Sequence, residues 1–434
     1  MDQGSGRAGS GCLMSALLDS LAAGFDGNTK QRDALDDTLR DGLPGPRSEA
    51  WKYTSLRALE RRSFMPVVDA PVPVDPDLLA GIPMPRLVFV NGRLDLRHSD
   101  ASGVPAGVEL HAARLGNGVF GTIAPDKPSQ LDRNEAVFSR LNDILANDGV
   151  VLRIGDSINV DAPMHLVFVG MPTGQDEAWH SRHLIELGVG SNACVIEHHI
   201  SAGGHAHLGN VVTRVALAAD AHLLHARIQC EAAGATLLAH TDAVLAVDAH
   251  YQRVDLELGG GLSRHELNVR LDGNGARVSA DGVLMATGRR HLDTRLAIEH
   301  VAPDTTCDLF WRGLATDRGR AVFHGGIVIH PGADGSDARL SNKNLLLSDA
   351  AEIDAQPVLE IHADEVKAAH GATVGQLDAV AMFYLRSRGL SEVAARRLLT
   401  TAFCLEVPAR IEPGTMRDTL TAALDAALTR MEDA

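Results

Sequence analysis

Histidines are concentrated between residues 198 and 225, and imidazole nitrogens are common ligands of metal ions. The segment contains the words EHHIS and GGHAH, followed by His222 and His225. Neighbouring residues on a strand point to opposite faces, so His198 and His199 cannot readily serve one compact centre. No cysteine or carboxylate completes a mononuclear pattern at ordinary spacing. The sequence therefore favours surface or turn histidines over a metal site in this region.

A second candidate is His370, in the segment KAAHGATVGQ near the C-terminus. Thr373 and Gln376 match a T-x-x-Q capping box, which predicts that His370 and Gly371 lie in a loop just before a helix. An exposed, neutral imidazole in such a loop is suited to bind a soft metal ion. A turn histidine without a partner fits the same residues equally well, so these residues alone leave both interpretations open.

The five cysteines are widely spaced, and no CxxC or CxxxC pair occurs. This pattern argues against a complete cluster or zinc site built by this chain alone, and it favours buried thiols in a reducing, cytoplasmic setting. The cysteines are Cys12, Cys194, Cys230, Cys307 and Cys404. The sequence also lacks a G-x-x-x-x-G-K-[ST] word, so it contains no P-loop nucleotide site.

A repeat in the middle of the chain predicts the elements that position these residues. Similar words begin at Ala193, Ala221, Ala249 and Ala276, at spacings of 28, 28 and 27 residues. Each unit reads as a strand, a turn of small residues and a second strand. Such units cannot bury a face alone and stack into a solenoid. The regular spacing favours a β-helix over a β-sandwich of hairpins.

Both ends of the chain read differently from this core. Helical spacing of apolar residues and proline breaks mark the start, and RLVFVNGRLD predicts a hairpin with an Asn-Gly turn. Three helices are predicted at the end: the first stops at Gly389, the second runs near Glu392 to Phe403, and the third starts at Thr415, whose T-x-x-D with Asp418 predicts a cap. The third helix carries an apolar stripe of Met416, Leu420, Leu424, Leu428 and Met431. We therefore expect an N-terminal leader with a helical and α+β region at 1–145, a β-helix core at 146–362, and a C-terminal helical domain at 363–434. The first 13 residues read as a flexible leader, and Met14 is a possible natural start.

The composition excludes several classes of protein. The chain has 40 basic and 56 acidic residues, a net charge of −16, which argues against a nucleic-acid partner. No run of about 18 apolar residues is present, so no membrane-spanning segment is predicted. The N-terminus lacks the apolar region of a secretory signal. These features predict a cytoplasmic protein with protein or small-molecule partners.

A stand-alone carbohydrate-active enzyme is the main alternative on a β-helix. Its chemistry needs two carboxylates, or a carboxylate and a basic residue, on either side of the sugar bond. The repeat places Glu197, His225, Arg253 and Ala280 in one row, and this row does not stack carboxylates. The sequence therefore gives this alternative little support.

Several long words resemble the SufB/SufD family, and its SufD branch more closely. The C-terminal word is DEVKAAHGATVGQLDAVAMFYLRSRGLSEVAARRLL, and SEAWKYTSL, SRHELNVRLDGNGA and HVAPDTTCDLFWRG precede it in the family's order. The resemblance covers most of residues 45 to 407. It implies a mainly β chain in which a right-handed parallel β-helix is flanked by an N-terminal helical region and a C-terminal helical domain.

The resemblance also implies a function. Chains of this type are scaffold subunits without an ATPase motif of their own, and they assemble iron–sulfur clusters for transfer to other proteins. A SufB-like chain pairs with the β-helix core, and a SufC-like ATPase binds the C-terminal helices. The nascent iron–sulfur cluster is held transiently at the junction between the two homologous chains.

His370 matches the SufD histidine of the HGAT word, so the resemblance implies that it is a ligand for iron or for the cluster at the SufB-like interface. Many SufD-like sequences carry a cysteine two residues earlier, where this sequence has Ala368. Any contribution of this segment to the cluster would therefore depend on His370 alone. SufB-like chains have HEAT in place of HGAT, which favours the SufD branch.

Overall fold

The computed structural model describes residues 15–23, 25, 27–45, 47–67, 72–114 and 135–433. The predicted leader and Met14 lie outside the described residues. The α-helices within them are α1 (Ala16–Ala23), α2 (Thr29–Asp41), α3 (Arg57–Glu60), α4 (Val137–Leu145), α5 (Ala379–Ser387), α6 (Glu392–Leu405) and α7 (Thr415–Asp433). Short 3₁₀ helices occupy Glu49–Trp51, Pro76–Leu79 and Pro408–Arg410.

The strands form two long sheets. Sheet 1 contains β1 (Met65–Pro66), β4 (Val108–Arg114), β5 (Asp148–Ile154), β7 (Glu177–Leu187), β9 (Leu208–Leu217), β11 (Thr236–Leu245), β13 (Leu262–Leu271), β15 (His291–His300), β17 (Arg320–Ile329) and β19 (Glu352–Ile361). Sheet 2 contains β2 (Arg86–Val90), β3 (Arg93–Leu94), β6 (Asn159–Gly170), β8 (Asn192–Ser201), β10 (His222–Gln229), β12 (His250–Glu257), β14 (Arg277–Ala286), β16 (Thr306–Ala315), β18 (Asp337–Leu346) and β20 (Lys367–Gly375).

From β5 onward the chain alternates between the two sheets, so that each strand pairs in parallel with the strand two places later. Residues that alternate along each strand face the space between the sheets, the lumen, and pack there as one apolar core. Trp311 and Phe323 belong to this core, and their ring centroids are 5.4 Å apart. The predicted class, a parallel β-helix flanked by helices at both ends, is confirmed.

The outer faces of the two sheets are covered by different ends of the chain. Leu17, Leu35 and Phe138 of the N-terminal helices pack against Leu208 and Leu238 on sheet 1. Residues of α6 and α7 pack in the same way against the outer face of sheet 2. None of the described helices is long and apolar enough to cross a membrane.

The predicted hairpin at RLVFVNGRLD is confirmed, since β2 and β3 pair antiparallel around Asn91 and Gly92. These two residues have φ angles of +46° and +77°, which asparagine and glycine adopt more readily than other residues. The predicted register of the core repeat is correct in part. His222 pairs with His250 and His250 with Arg277, as the repeat required.

The first repeat unit was placed wrongly by two residues. The repeat paired His222 with Cys194, whereas the structure pairs it with Asn192. The reason is that β8 continues for two residues, Ile200 and Ser201, beyond the position at which β10 ends. The words that begin at Ala193 and Ala221 resemble each other, and this resemblance concealed the two extra residues of β8.

The C-terminal segment also departs from the prediction. Lys367–Gly375 forms β20, which pairs with β18, so the β-helix continues past residue 362. Thr373 lies in this strand and caps no helix. The side chain of Asp378 instead accepts hydrogen bonds from the backbone of Val380 and Ala381 at the start of α5. Gly389, with a φ of +95°, follows α5 as predicted.

The predicted cap at the start of α7 is wrong as well. Thr415 is already the first residue of α7, and its carbonyl accepts a hydrogen bond from the Thr419 hydroxyl. The first turn is closed by the carbonyl of Gly414, which accepts from the backbone N–H of Asp418. Thr415 is therefore inside the helix and does not cap it.

Candidate functional site

His370 lies on the last strand of sheet 2, at the open end of the β-helix. The prediction placed it in a loop, but it is in the middle of β20 and directly opposite Leu340 of β18. Leu340 is part of the lumen core, and partners on adjacent strands point to the same side of a sheet. The imidazole of His370 therefore faces the end of the lumen, where it is exposed.

The strand that carries His370 is held in place by asparagine side chains beneath it. Asn344 Nδ2 donates to the carbonyl of Thr373 at 2.9 Å and to Asn342 Oδ1 at 2.6 Å. Ala368, two residues before His370, packs partly against the lumen core. This arrangement fixes the backbone on both sides of the imidazole, so that its position is set by the sheet.

His370 offers one nitrogen ligand and no more. Among the residues that the structure describes, no group of three or more His, Cys, Asp or Glu side chains is arranged to hold a metal ion. Structural metal sites usually take four protein ligands. A metal or cluster at His370 would therefore need further ligands from a second chain or from the bound species itself.

A polar cluster that the sequence did not indicate lies inside the lumen. His225 Nε2 is 2.8 Å from Glu197 Oε1, and Arg253 Nη1 is 2.8 Å from His225 Nδ1. Arg253 Nη2 lies 2.7 Å from Asp255 Oδ1, and Arg227 forms an ion pair with Glu257. Each of these side chains is at most 2% exposed. The cluster therefore consists of charges that pair with one another and are shielded from solvent.

The contacts of His225 define its protonation. Arg253 can only donate, so His225 Nδ1 accepts and Nε2 carries the hydrogen that is donated to Glu197. This describes a neutral imidazole, and burial together with Arg253 lowers the pKa of His225 accordingly. Burial alone would raise the pKa of Glu197, but His225, His199 and Arg253 lower it well below its ordinary value.

The predicted row of Glu197, His225, Arg253 and Ala280 is confirmed for its last three residues and was wrong for Glu197, because of the same two-residue register error. His225 pairs with Val195, while Glu197 pairs with Arg227 and Arg227 with Asp255. A carboxylate, a guanidinium and a second carboxylate therefore stack inside the lumen. Because these acids are buried, they do not form a cleft into which a glycan could bind.

The prediction of surface or turn histidines between residues 198 and 225 is confirmed for His222, which is exposed, and for His205 and His207, which lie in the connection between β8 and β9. It was wrong for the other three, which are buried on strands. His198 Nε2 lies 3.0 Å from His165 Nδ1 on the outer side of sheet 2, and His199 faces Glu197 in the lumen. The expected opposite orientation of His198 and His199 is confirmed. The buried members of the group are His198, His199, His205, His207 and His225.

The buried character predicted for the cysteines is confirmed for three of them. Cys194, Cys307 and Cys404 are buried, and Cys230 is partly buried. Cys12 lies outside the described residues.

The C-terminal domain is attached to sheet 2 by apolar packing and by two arginines. Arg312 of β16 is 2% exposed and pairs with Glu406 at 2.5 Å. Arg410 bonds to Asp281 at 2.9 Å and to Asp308 at 2.7 Å. The apolar stripe predicted for α7 is buried against the same face, and its buried members are Met416, Leu420, Leu424 and Leu428. This stripe is consequently not free to bind another protein.

The helical hairpin of α5 and α6 has the opposite character. Helix α5 has no buried residue, and Phe383 and Val380 are 74% and 76% exposed. Val393 and Leu398 on α6 are 68% and 49% exposed. Exposed apolar side chains grouped in this way mark surfaces that bind other proteins. The exposed apolar side chains of this part of the chain therefore lie on α5 and α6.

The SEAWKYTSL word explains how the N-terminal region is held on sheet 1. The guanidinium of Arg264 lies 3.9 Å from the ring centroid of Trp51, and Thr54 Oγ1 donates to Asp293 at 2.5 Å. Arg264 and Asp293 also form an ion pair with each other. Trp51 and Thr54 are thus part of a structural contact, while Lys52 between them is exposed.

Comparison with known proteins identifies the family. Residues 170–403 match the family described as SUF system FeS cluster assembly, SufBD core domain. The iron–sulfur cluster assembly protein SufD of Escherichia coli is 33% identical over 390 residues, which is 89% of each chain. A SufBD family protein of Synechocystis sp. is 28% identical, and the alignment covers 87% of this chain and 86% of that protein. A SufBD family protein of Mycobacterium leprae is 29% identical, and the alignment covers 90% of this chain and 92% of that protein.

The match to the family extends over most of the β-helix, the strand with His370, α5 and nearly all of α6. Together with the parallel β-helix and its helical ends, the matches assign the chain to the SUF system of iron–sulfur cluster assembly. The chain belongs to the SufBD family of iron–sulfur cluster assembly proteins and is SufD-like within it.

Proposed function

We propose that this chain is one half of a cytoplasmic assembly scaffold, in which it pairs with a SufB-like chain through the open end of its β-helix. The observation that carries the proposal is the free outer edge of β19 and β20. No described strand lies beyond either of them. Ile361 and Val374, near the ends of these strands, are 44% and 46% exposed. A long free edge with exposed apolar residues is unfavourable in a soluble protein unless a partner covers it.

A homologous chain is a suitable partner because its own β-helix would end in the same way. Strand addition satisfies the free backbone groups of the edge, and the exposed side chains then determine which partner binds. A junction of two such ends would also close the lumen beside His370. This geometry supports a shared site between the chains.

We further propose that His370 supplies one nitrogen ligand to iron or to a nascent iron–sulfur cluster, which is the cargo of the scaffold. The imidazole of His370 is exposed and faces the junction, and imidazole is a good ligand for iron. Ala368 offers no thiolate, so the remaining ligands would come from the SufB-like chain and from sulfide. The cluster would be bound transiently and shared.

The hairpin of α5 and α6 is proposed to bind a SufC-like ATPase. This chain has no P-loop word, so ATP would act on it through a partner. The exposed apolar residues Val380, Phe383 and Val393 provide the surface that such a partner would bury. The apolar stripe of α7 does not contribute, because the β-helix already covers it.

Co-expression of the chain with SufB-like and SufC-like proteins, followed by size-exclusion chromatography, tests the proposal. We expect one complex that contains all three proteins. Val374→Arg places a charge at the free edge and should remove the SufB-like chain from the complex. Val247→Arg is the matched control, because Val247 is also 46% exposed but lies in a turn away from the end. Equal loss with both variants, or with neither, would refute the proposed junction.

A further inference from the structure

A row of arginines follows one corner of the β-helix. This arginine row consists of Arg289 and Arg290 in the turn after β14, Arg318 in the turn after β16, and Arg430 near the end of α7. Arg289, Arg318 and Arg430 are exposed, and Arg290 is partly buried. The chain as a whole has a net charge of −16, so a concentration of positive charge at one place requires an explanation.

Backbone and side-chain contacts place the four residues near one another. The backbone N–H of Arg318 donates to the carbonyl of Gly288 at 2.9 Å, which brings the turns of Arg289 and Arg318 together. Successive strands of a sheet lie about 4.8 Å apart, so these two turns are neighbours. Arg430 Nη2 lies 3.9 Å from Cys230 Sγ, and the charges of Arg430 and Arg290 both act on that thiol.

The arginine row forms no ion pair with the carboxylates whose side chains the structure describes, which end before Glu432. This holds for each of its members, Arg289, Arg290, Arg318 and Arg430. The nearest acid along the chain, Asp317, accepts a hydrogen bond from the backbone of Gly288 at 3.0 Å. Burial and then the charge of Arg430 lower the pKa of Arg290. Like charges so placed repel one another, and an anionic partner would relieve that repulsion.

The arginine row is continuous with the hairpin of α5 and α6. Arg396 Nη1 of α6 lies 3.5 Å from the carbonyl of Leu347, in the turn that follows the turn of Arg318 along the same corner. The backbone N–H of Leu347 also donates a hydrogen bond to the carbonyl of Ala315, at the end of β16, at 2.9 Å. A groove of about 450 Å³ separates this turn from the hairpin, and Phe383 and Arg396 are among its lining residues.

We propose that the arginine row is the electrostatic part of the docking surface for the ATPase subunit, and that it binds a carboxylate-rich patch on that subunit. This inference rests on the proposed binding of the ATPase at α5 and α6. The hairpin supplies the apolar contact, while the row adds charge at its border and steers the approach of the partner. A local acidic patch fits better than a polyanion, because the remaining surface of this acidic chain would repel a polyanion.

Affinity measurements at two salt concentrations test the inference. The full chain is titrated with the SufC-like ATPase at about 0.05 M and about 0.5 M salt, since charges on the surface are screened at the higher concentration. The test variant is Arg289→Glu with Arg318→Glu. The control is Arg277→Glu, which changes an exposed arginine at the other end of β14.

We expect the double variant to bind at least about tenfold more weakly at low salt and to approach the wild type at high salt. Arg277→Glu should bind like the wild type at both concentrations. Equal binding of the double variant and the wild type at low salt would overturn the inference and leave the proposed function intact. Absence of binding by the wild type at both concentrations would overturn both. Phe383→Ser, by contrast, should weaken binding at either salt concentration.

Discussion

Arg253 and Asp255 form an ion pair inside the β-helix, with Nη2 and Oδ1 2.7 Å apart and neither side chain exposed. Arg253 also bonds to His225, whose other nitrogen bonds to Glu197. One guanidinium thus neutralises two carboxylates of sheet 2, Asp255 on its own strand and Glu197 on β8, whose Oε1 is 3.9 Å from Arg253 Nη1. Burial favours the neutral acid, but Arg253 and His265 nevertheless lower the pKa of Asp255 to about 2.

Replacement of Arg253 by Met should therefore destabilise the protein strongly. Asp255 and Glu197 would remain in the lumen without their counter-charge, and loss of one partner of a buried ion pair costs about 3–5 kcal/mol. Urea unfolding followed by circular dichroism would measure the change. Arg277→Met, at an exposed position on the next strand, should change the free energy of unfolding by less than about 0.5 kcal/mol. If the two variants lowered the free energy of unfolding by similar amounts, the lumen cluster would not have the stabilising role proposed for it.

Stability should also decrease as the pH rises above neutrality, because of His240. Its Nε2 lies 2.8 Å from Asp242 and its Nδ1 3.3 Å from Glu266. Burial alone would lower the pKa of His240, but these two carboxylates raise it to about 10. The folded protein therefore retains a proton that the unfolded chain releases near pH 6.5.

This proton sets the sign of the effect. The stabilisation that protonated His240 gives to the folded state is complete below about pH 6.5. Between about pH 6.5 and 10 it is lost, and the free energy of unfolding falls by up to about 1.4 kcal/mol per pH unit. His240→Gln should flatten the decrease of the free energy of unfolding over this range. As a control, His222→Gln at an exposed position should leave the slope unchanged. A slope that His240→Gln does not alter would assign the pH dependence to other groups.

The parts of the fold that were predicted from the sequence depend on short-range patterns. The Asn91-Gly92 turn was predicted because its two residues tolerate positive φ. The β-helix was predicted from a period that remains regular between His222 and Arg277. Both signals are contained in a few dozen residues and need no knowledge of distant contacts.

The missed parts depend on register and on tertiary contacts. Two extra residues at the end of β8 moved Glu197 from the row of His225 to that of Arg227, and this concealed the lumen cluster. Thr373 matches a capping box, but pairing with β18 draws it into a strand. The apolar stripe of α7 was predicted correctly. The surface that covers this stripe belongs to sheet 2, and the spacing of residues in the sequence could not indicate that contact. The ligand role of His370 remains a prediction.

His370→Ala should lower the yield of assembled cluster and leave the fold and the complex intact. The side chain is exposed, so its removal opens no cavity, and its loss removes the one ligand that this strand offers. Cluster formation on the reconstituted complex would be followed by visible absorbance and by iron and sulfide content. The control is His362→Ala, an exposed histidine just after β19. Unchanged yield with His370→Ala would eliminate the ligand role.

The hairpin of α5 and α6 allows a sharper test of ATPase binding than deletion of the C-terminus. Removal of residues after Pro408 would expose the outer face of sheet 2, since Leu420 and Leu424 are fully buried against it. A deleted chain could then fail to bind merely because it is unstable. Phe383→Ser avoids this difficulty, because the side chain is 74% exposed and its loss should not affect folding.

We expect Phe383→Ser to weaken co-purification with the SufC-like ATPase while the melting temperature stays unchanged. Large exposed aromatic residues often supply much of the binding energy of an interface, and loss of one typically costs about 2 kcal/mol or more. Leu96→Ser is the control, because Leu96 is 78% exposed but lies in the N-terminal region. If the two variants retain the ATPase equally well, the partner does not bind at the hairpin. If only Phe383→Ser loses it while the SufB-like chain still binds, then the two partners occupy separate surfaces, one on the helices and one at the end of the β-helix.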